Sequence, residues 1–179
     1  MKTKWFLSCL LSLVSCFLFS PAIPYAHAKT ESVAADLINT QGEKIGNVSF
    51  AEEAGGVRIK LEVEKLSPGP HAFHIHGVGQ CEPPDFKSAG SHFNPYGKKH
   101  GIKNPAGPHA GDLPNLMVGA DGTGKLETFA AGVTIKEGPY SLFNPKGTAL
   151  VIHEAPDDEV TDPAGNAGAR VACGVITWR

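Results

Sequence analysis

The chain lacks several features that would place it quickly in a functional class. Its 16 Lys and Arg residues nearly balance its 18 Asp and Glu residues, and it has no basic run and no basic residues interleaved with aromatics. We therefore expect no nucleic-acid partner. It also lacks internal repeats, low-complexity tracts and any extended helical pattern. The one long apolar run, residues 5–20, falls short of the roughly 20 residues that a membrane-spanning helix needs.

That apolar run fits a secretory signal peptide instead. Lysines at positions 2 and 4 precede it, and Ala26-His27-Ala28 follows with small residues where a signal peptidase cleaves. We predict that residues 1–28 are removed and that residues 29–179 form one secreted or otherwise extracytoplasmic domain. A second interpretation stays open, because Leu13-Val14-Ser15-Cys16 resembles a bacterial lipobox. Processing there would tether the protein to a membrane through Cys16.

The predicted mature domain is mildly acidic and holds two cysteines. Residues 1–28 contain two lysines and no acidic residue, so 14 basic and 18 acidic residues remain, with a net charge of −4. About 150 residues suffice for one globular domain with its own core. Cys81 and Cys173 are the cysteines that remain. In an exported domain such a pair usually forms one disulfide, although two separate buried thiols are the alternative.

Short strands separated by Gly and Pro dominate the pattern. Residues 57–64 alternate apolar and charged side chains, as in a strand with one buried and one solvated face. Asp121-Gly122 is typical of a hairpin turn. The pattern favours an all-β antiparallel sandwich or barrel. Further strands are predicted at residues 32–39, 44–50, 116–118, 125–130, 149–153 and 171–177.

Two long segments do not fit this strand pattern. The first, residues 77–114, is rich in Pro, Gly and His and is called the metal loop below. The second, residues 154–168, contains five acidic residues and no lysine and is called the acidic loop. Loops of this length inside a compact domain usually have a functional reason.

His74 and His76 stand two residues apart within a predicted strand. Residues i and i+2 of a strand project to the same face, so the two imidazoles are expected to converge while Phe73 and Ile75 face the core. A pair of this kind also occurs in cupins and on ordinary surfaces. Glu82, however, lies too far beyond the pair for the usual cupin spacing.

The metal loop adds further metal-binding side chains. His92, His100, His109 and Asp112 form a plausible tetrahedral zinc set without an open position. His153 ends the apolar strand at residues 149–153 and is expected to join the strand pair of histidines. A group of imidazoles without thiolates suits copper that changes oxidation state.

Four stretches carry a resemblance to a known family: residues 69–76, 90–95, 109–113 and 165–176. They are similar to the copper,zinc superoxide dismutases, and the similarity runs from about residue 34 to the C-terminus. The resemblance implies an eight-stranded antiparallel Greek-key barrel with the metals outside it under two long loops. It also implies a Cys81–Cys173 disulfide and one copper and one zinc per subunit.

The resemblance further implies roles for single residues. His92 would bridge the two metals, Arg170 would attract superoxide, Asp157 would connect a copper ligand with a zinc ligand, and His71 would be structural. The implied copper ligands are His74, His76, His92 and His153, and the implied zinc ligands are His92, His100, His109 and Asp112.

The implied activity is the conversion of superoxide to dioxygen and hydrogen peroxide. The catalytic residues would be His92 and Arg170. Because the acidic loop lacks lysine, and only Lys87, Lys98, Lys99 and Lys103 of the metal loop offer positive charge, we expect weak electrostatic guidance of the anion.

Two other functions remain open at this stage. One is a dismutase-like zinc protein with little copper activity. The other is a copper-delivery domain, although such domains carry CxxC motifs and none occurs here. Members of the similar family are monomers or dimerise through different surfaces. The sequence is therefore compatible with a homodimer but does not determine the oligomeric state.

Overall fold

The alternating segment predicted from the sequence lies at the centre of the sheet. In the computed structural model, which describes Met1 and residues 32–179, this segment is β3 (Gly56–Val63). It pairs antiparallel with β2 (Lys44–Glu53) on one side and with β7 (Gly124–Ala131) on the other. Its apolar side chains are buried and its charged ones are not, because successive strand residues face opposite sides. The predicted signal peptide and lipobox lie outside the described residues.

Ten strand segments form one antiparallel sheet. The order of neighbours is β4-β6-β7-β3-β2-β1-β9-β8-β5, and β10 also pairs with β1. The segments in chain order are β1 (Val33–Asn39), β2 (Lys44–Glu53), β3 (Gly56–Val63), β4 (Gly69–His71), β5 (Phe73–His76), β6 (Leu116–Val118), β7 (Gly124–Ala131), β8 (Ala149–His153), β9 (Arg170–Val175) and β10 (Thr177–Trp178).

The two ends of this sheet belong to one stretch of chain. β4 and β5 lie at opposite ends of the strand order but are separated only by Ala72, so the sheet curves into a nearly closed barrel. Ile176 alone separates β9 from β10, and counting each interrupted stretch once gives eight strands. β3 neighbours β7, and β1 neighbours β9, which are the crossing connections of a Greek key. The predicted all-β Greek-key barrel is therefore confirmed.

Side chains from all sides of the barrel fill its core. Phe73 and Ile75 point inward and are fully buried, as the strand pattern predicts. They meet apolar side chains of the other strands, among them Leu37, Ile59 and Leu150. The opposite face of β5 is thereby left for the histidines between them.

The metal loop leaves β5 and returns to the sheet at β6. Its only regular element among the described residues is a short 3₁₀ helix, Lys87–Ala89. A disulfide joins Cys81 of this loop to Cys173 of β9, as predicted, across a sequence separation of 92 residues. Closing so long a loop is worth about 4–5 kcal/mol in the chain-entropy account. No helix among the described residues has the length and apolarity that crossing a membrane requires.

Candidate metal centre

Two neighbouring strands place three histidines close together. His74 and His76 lie on β5 and face away from the core, opposite Val151 and Ala149 of β8. β8 ends at His153, which pairs with Arg170 of β9. The metal loop adds His92, whose backbone bridges that of His76. We call His74, His76, His92 and His153 the four-histidine group.

One ring nitrogen of each histidine in this group has no hydrogen-bond partner. These atoms are Nδ1 of His74 and Nε2 of His76, His92 and His153, and no other buried side-chain nitrogen or oxygen in residues 32–179 is without one. The group can offer one nitrogen per residue with all four atoms within 4.8 Å of one another. Buried polar atoms are normally hydrogen-bonded, so four convergent ones that are not fit a site for a cation.

The other ring nitrogen holds the imidazole in place in each case. Nε2 of His74 lies 2.8 Å from Asp157 Oδ2, and Nδ1 of His76 lies 2.9 Å from the carbonyl oxygen of Gly90. Nδ1 of His153 lies 3.3 Å from the carbonyl oxygen of Gly168. Such contacts orient the ring and favour a lone pair on the nitrogen that faces the metal.

Burial keeps these imidazoles uncharged. It lowers the pKa of His76 to about 2 and that of His153 to about 3. It also lowers the pKa of His74 to about 4, although the hydrogen bond with Asp157 opposes the shift. All three rings are therefore neutral at pH 7, which is the form that binds a metal.

A second group lies on the other side of His92. Asp112 Oδ1 is 2.9 Å from Nδ1 of His92, 3.1 Å from Nδ1 of His100 and 3.3 Å from Nδ1 of His109. The Nδ1 atoms of His92 and His109 are 3.5 Å apart. Zinc at about 2.0–2.1 Å from four tetrahedral ligands would separate those ligands by about 3.3 Å. We call these four residues the aspartate group, and its atoms fit zinc.

The Asp112 carboxylate is oriented for this geometry. Its Oδ2 accepts hydrogen bonds from the backbone N–H groups of Gly101 and His109, which leaves Oδ1 facing the three imidazoles. Burial would raise the pKa of Asp112, but its contacts with His100 and His92 outweigh that effect and hold the pKa well below the usual range. The carboxylate is therefore anionic and offers one oxygen.

Asp157 of the acidic loop connects the two groups. Its two carboxylate oxygens lie 2.8 Å from Nε2 of His74 and 3.0 Å from Nε2 of His100. Burial opposes a charge on His100, but the contacts with Asp112 and Asp157 prevail and raise its pKa to about 9. The residue that the sequence suggested as a connector thus contacts one histidine of each group.

Comparison with known proteins identifies the family of the chain. Residues 44–176 match the family model described as Copper/zinc superoxide dismutase (SODC). The protein named Superoxide dismutase [Cu-Zn] 2 of Aquifex aeolicus (strain VF5) is 56% identical over 144 residues, which cover 79% of this chain and 84% of that protein. The chain belongs to the copper/zinc superoxide dismutase family.

Solved structures agree with this membership. Cu/Zn superoxide dismutase from Brucella abortus superposes with a TM-score of 0.67 at 30% identity, covering 82% of this chain and 99% of that one. A double mutant of a SOD-like protein from Bacillus subtilis gives 0.77 at 44% identity, covering 79% and 95%. Membership in the dismutase family implies copper and zinc as cofactors and superoxide as the substrate.

Arg170, which the family resemblance singled out, is held beside the four-histidine group. Its Nη1 donates to the carbonyl oxygen of Phe86 and its Nη2 to that of Gly90, both at 2.7 Å. Gly90 also accepts the hydrogen bond from His76, so one carbonyl contacts both residues. Two charge-assisted hydrogen bonds fix the guanidinium in a single orientation.

Sequence analysis missed two residues that position Asp157. The Asn115 amide donates to the Asp157 carbonyl oxygen at 2.9 Å and accepts from the Asp157 N–H at 2.8 Å. At Gly165, φ is +62° and a Cβ atom would lie 1.8 Å from Asp157 Oδ1, so only glycine fits. Gly165 lies in a stretch that carried the resemblance, whereas no pattern distinguished Asn115.

The remaining sequence candidates lie outside the two groups. His71 is buried and its Nδ1 donates to the His153 carbonyl oxygen at 2.7 Å, which fits the predicted structural role. Three of the four lysines of the metal loop form ion pairs: Lys87 with Asp85, Lys99 with Asp162 and Lys103 with Glu159.

Proposed function

We propose that the four-histidine group holds copper, that the aspartate group holds zinc, and that the protein disproportionates superoxide to dioxygen and hydrogen peroxide at the copper. One ion of each metal would bind per subunit. The observation that carries the proposal is the convergence of four buried, unpaired imidazole nitrogens. His92 belongs to both groups, since its Nδ1 faces Asp112 and its Nε2 is one of the four unpaired atoms.

Copper, when bound, supplies the alternation between two oxidation states that accepts an electron from one superoxide and returns it to the next. The chain's own contribution begins with Arg170, whose fixed guanidinium offers positive charge and N–H donors to the arriving anion. His92 Nε2 is the atom at which a proton would be held and then passed to the peroxide product. Asp157 keeps the ring of His74 oriented throughout.

We further propose that the domain acts outside the cytoplasm after removal of residues 1–28. The Cys81–Cys173 disulfide supports this proposal, because such bonds persist in oxidising compartments. Mass measurement of the exported protein tests it, since cleavage after Ala28 and lipid attachment at Cys16 give different masses. The homodimer is a separate prediction, and analytical ultracentrifugation tests it by measuring the mass of the protein in solution.

The alternative, a zinc protein with little copper activity, is disfavoured by the complete four-histidine group. Metal analysis and superoxide decay on one sample decide between them. The wild type should hold one copper and one zinc and remove superoxide. His153→Ala should lose copper and activity but keep zinc. Full activity without copper, or an inactive wild type loaded with both metals, would contradict the proposal.

A further inference from the structure

One face of the aspartate group borders a cavity of about 310 Å³. His92 and His109 lie in its wall, whereas His100 is fully buried. Asn94, Gly97 and Lys98 of the metal loop also line it. This cavity therefore reaches two of the three imidazoles in the group.

The segment 94–98 forms a wall of this cavity, and most of its hydrogen bonds join residues within the segment. The Asn94 side chain donates to the Lys98 carbonyl oxygen and accepts from the Lys98 N–H, while the N–H of Gly97 donates to the Asn94 carbonyl oxygen. Before this segment, the N–H of Phe93 donates to the Ile75 carbonyl oxygen and ties the chain to β5. The backbone of His92 is therefore anchored independently of segment 94–98.

Tyr96 makes the one hydrogen bond in the described structure that joins segment 94–98 to the barrel. Its hydroxyl donates to the Gly132 carbonyl oxygen at 2.6 Å. Gly132 is itself fixed, because its N–H donates to the Gly55 carbonyl oxygen in the turn between β2 and β3. A Cβ atom on Gly132 would lie 2.9 Å from the Tyr96 hydroxyl, so the missing side chain leaves room for this bond.

The ring of Tyr96 also stacks on Tyr140. The centroids are 4.5 Å apart and the planes differ by 23°. The two residues are 42% and 40% exposed, so their contact lies at the protein surface. A hydrogen bond and an aromatic stack of this kind each shift the equilibrium between the closed and open positions of a segment on the order of a few-fold.

We propose that Tyr96 and Tyr140 form a latch that holds segment 94–98 against the barrel and thereby controls the exchange of zinc through this cavity. The proposal rests on the zinc site proposed above. Tyr96 is a positioning residue here, since it contacts neither the aspartate group nor the substrate. Opening of the latch exposes His109 and the zinc-facing side of His92 but leaves the four-histidine group in place.

The test measures the release of zinc from the fully metallated protein to an excess of a coloured zinc chelator. Tyr96→Phe removes only the hydroxyl, Tyr140→Ala removes only the stack, and Tyr96→Ala removes both. We expect release about 3- to 10-fold faster in each of the first two and about 10-fold or more in the third. Copper content should not change, and the visible spectrum of Co(II) in the zinc site should keep its form in Tyr96→Phe.

Trp178→Ala is the matched control, because Trp178 is 48% exposed and stacks on Phe143 with centroids 5.2 Å apart, outside the metal loop. It should release zinc at the wild-type rate. Wild-type rates in Tyr96→Ala and Tyr140→Ala, or an equal acceleration in Trp178→Ala, would overturn the latch alone. A wild type that binds no zinc would instead overturn the proposed zinc site, and the latch with it.

Discussion

His153 and Arg170 lie directly opposite each other where β8 pairs with β9, next to an irregularity in the register. Ile152 pairs with Ala172 and His153 with Arg170, so Val171 is the extra residue of a bulge. A bulge re-aims the side chains beside it. Here it places a histidine of the four-histidine group opposite the neighbouring cation on adjacent strands, at the two ends of the acidic loop.

This pairing predicts that Arg170 affects the reaction and not the metals. Arg170→Ala should lower kcat/KM for superoxide by roughly 10- to 100-fold, the loss expected for one charge-assisted contact. Arg170→Lys should recover part of the rate, because it keeps the charge but not the two-pronged hydrogen bonding. Pulse radiolysis with parallel metal analysis measures both. Arg58→Ala, which removes a surface arginine paired with Glu53, is the control, and an equal loss there would contradict the prediction.

The shared position of His92 predicts a distinct pattern of metal loss. His92→Ala should lower the content of both copper and zinc, because the residue belongs to both groups. His100→Ala should lower mainly zinc. Elemental analysis of the purified variants shows the difference, with His71→Gln as a buried-histidine control that keeps both metals. A His92 variant that retained full zinc would remove this residue from the zinc site.

Histidine pKa values predict a stability maximum for the metal-free protein near pH 6.5. The pKa values of His74, His76 and His153 are lowered from 6.5 in the folded protein. As the pH falls from about 6.5 towards 4, the unfolded chain therefore binds protons that the folded protein does not, and the free energy of unfolding decreases. His100 acts oppositely, since its pKa is raised to about 9 and its stabilisation disappears between pH 6.5 and 9. Thermal unfolding across pH 4–9 tests this, and a melting temperature that rises steadily to pH 9 would contradict it.

Paired surface charges predict a shallow dependence of the rate on salt. Lys87, Lys99 and Lys103 each have a carboxylate within 3.0 Å, which reduces the positive potential available to guide an anion. We expect kcat/KM to fall less than about twofold between roughly 10 and 200 mM salt. Stopped-flow decay of superoxide measures this, and a steep fall would refute it.

A charge-neutralising variant makes the salt prediction sharper. Asp85, Lys87 and Arg170 line one cavity, and Asp85 forms the ion pair with Lys87. Asp85→Asn should free the ammonium group beside Arg170, raise the rate at low salt and steepen the salt dependence. Asp121→Asn, which removes an acidic residue from a distant turn, should change neither.

Local patterns were sufficient to predict most of the strands, whereas the Greek-key barrel was implied by the family resemblance. The strands predicted at residues 116–118 and 149–153 match β6 and β8 in both bounds, and the alternating strand matches β3 within one residue. β4 (Gly69–His71) was not predicted, because three residues that include a glycine and a proline carry no alternation. It forms only because β6 is available to pair with it.

Site residues could be predicted from the sequence where their spacing places them on one face of a strand. Residues that act by hydrogen-bonding a distant peptide group could not. His74 and His76 follow strand geometry, and both loops were recognised as functional from their length and composition. Asn115 and the carbonyl of Phe86, in contrast, contact residues 42 and 84 positions away. A side chain that binds a distant peptide group leaves no periodic trace in the sequence.

The break at Ala72 gives the barrel a seam, and the four-histidine group lies along it. Ala72 donates to the Ala155 carbonyl oxygen and accepts from the His153 N–H, and His74 and His76 follow immediately on β5. These bonds continue the pairing of β5 with β8, so His74, His76 and His153 stay on one side of the seam. His92 comes from the metal loop. A metal held by all four residues would therefore cross-link that loop to the barrel, and its binding free energy would add to the work needed to detach the loop.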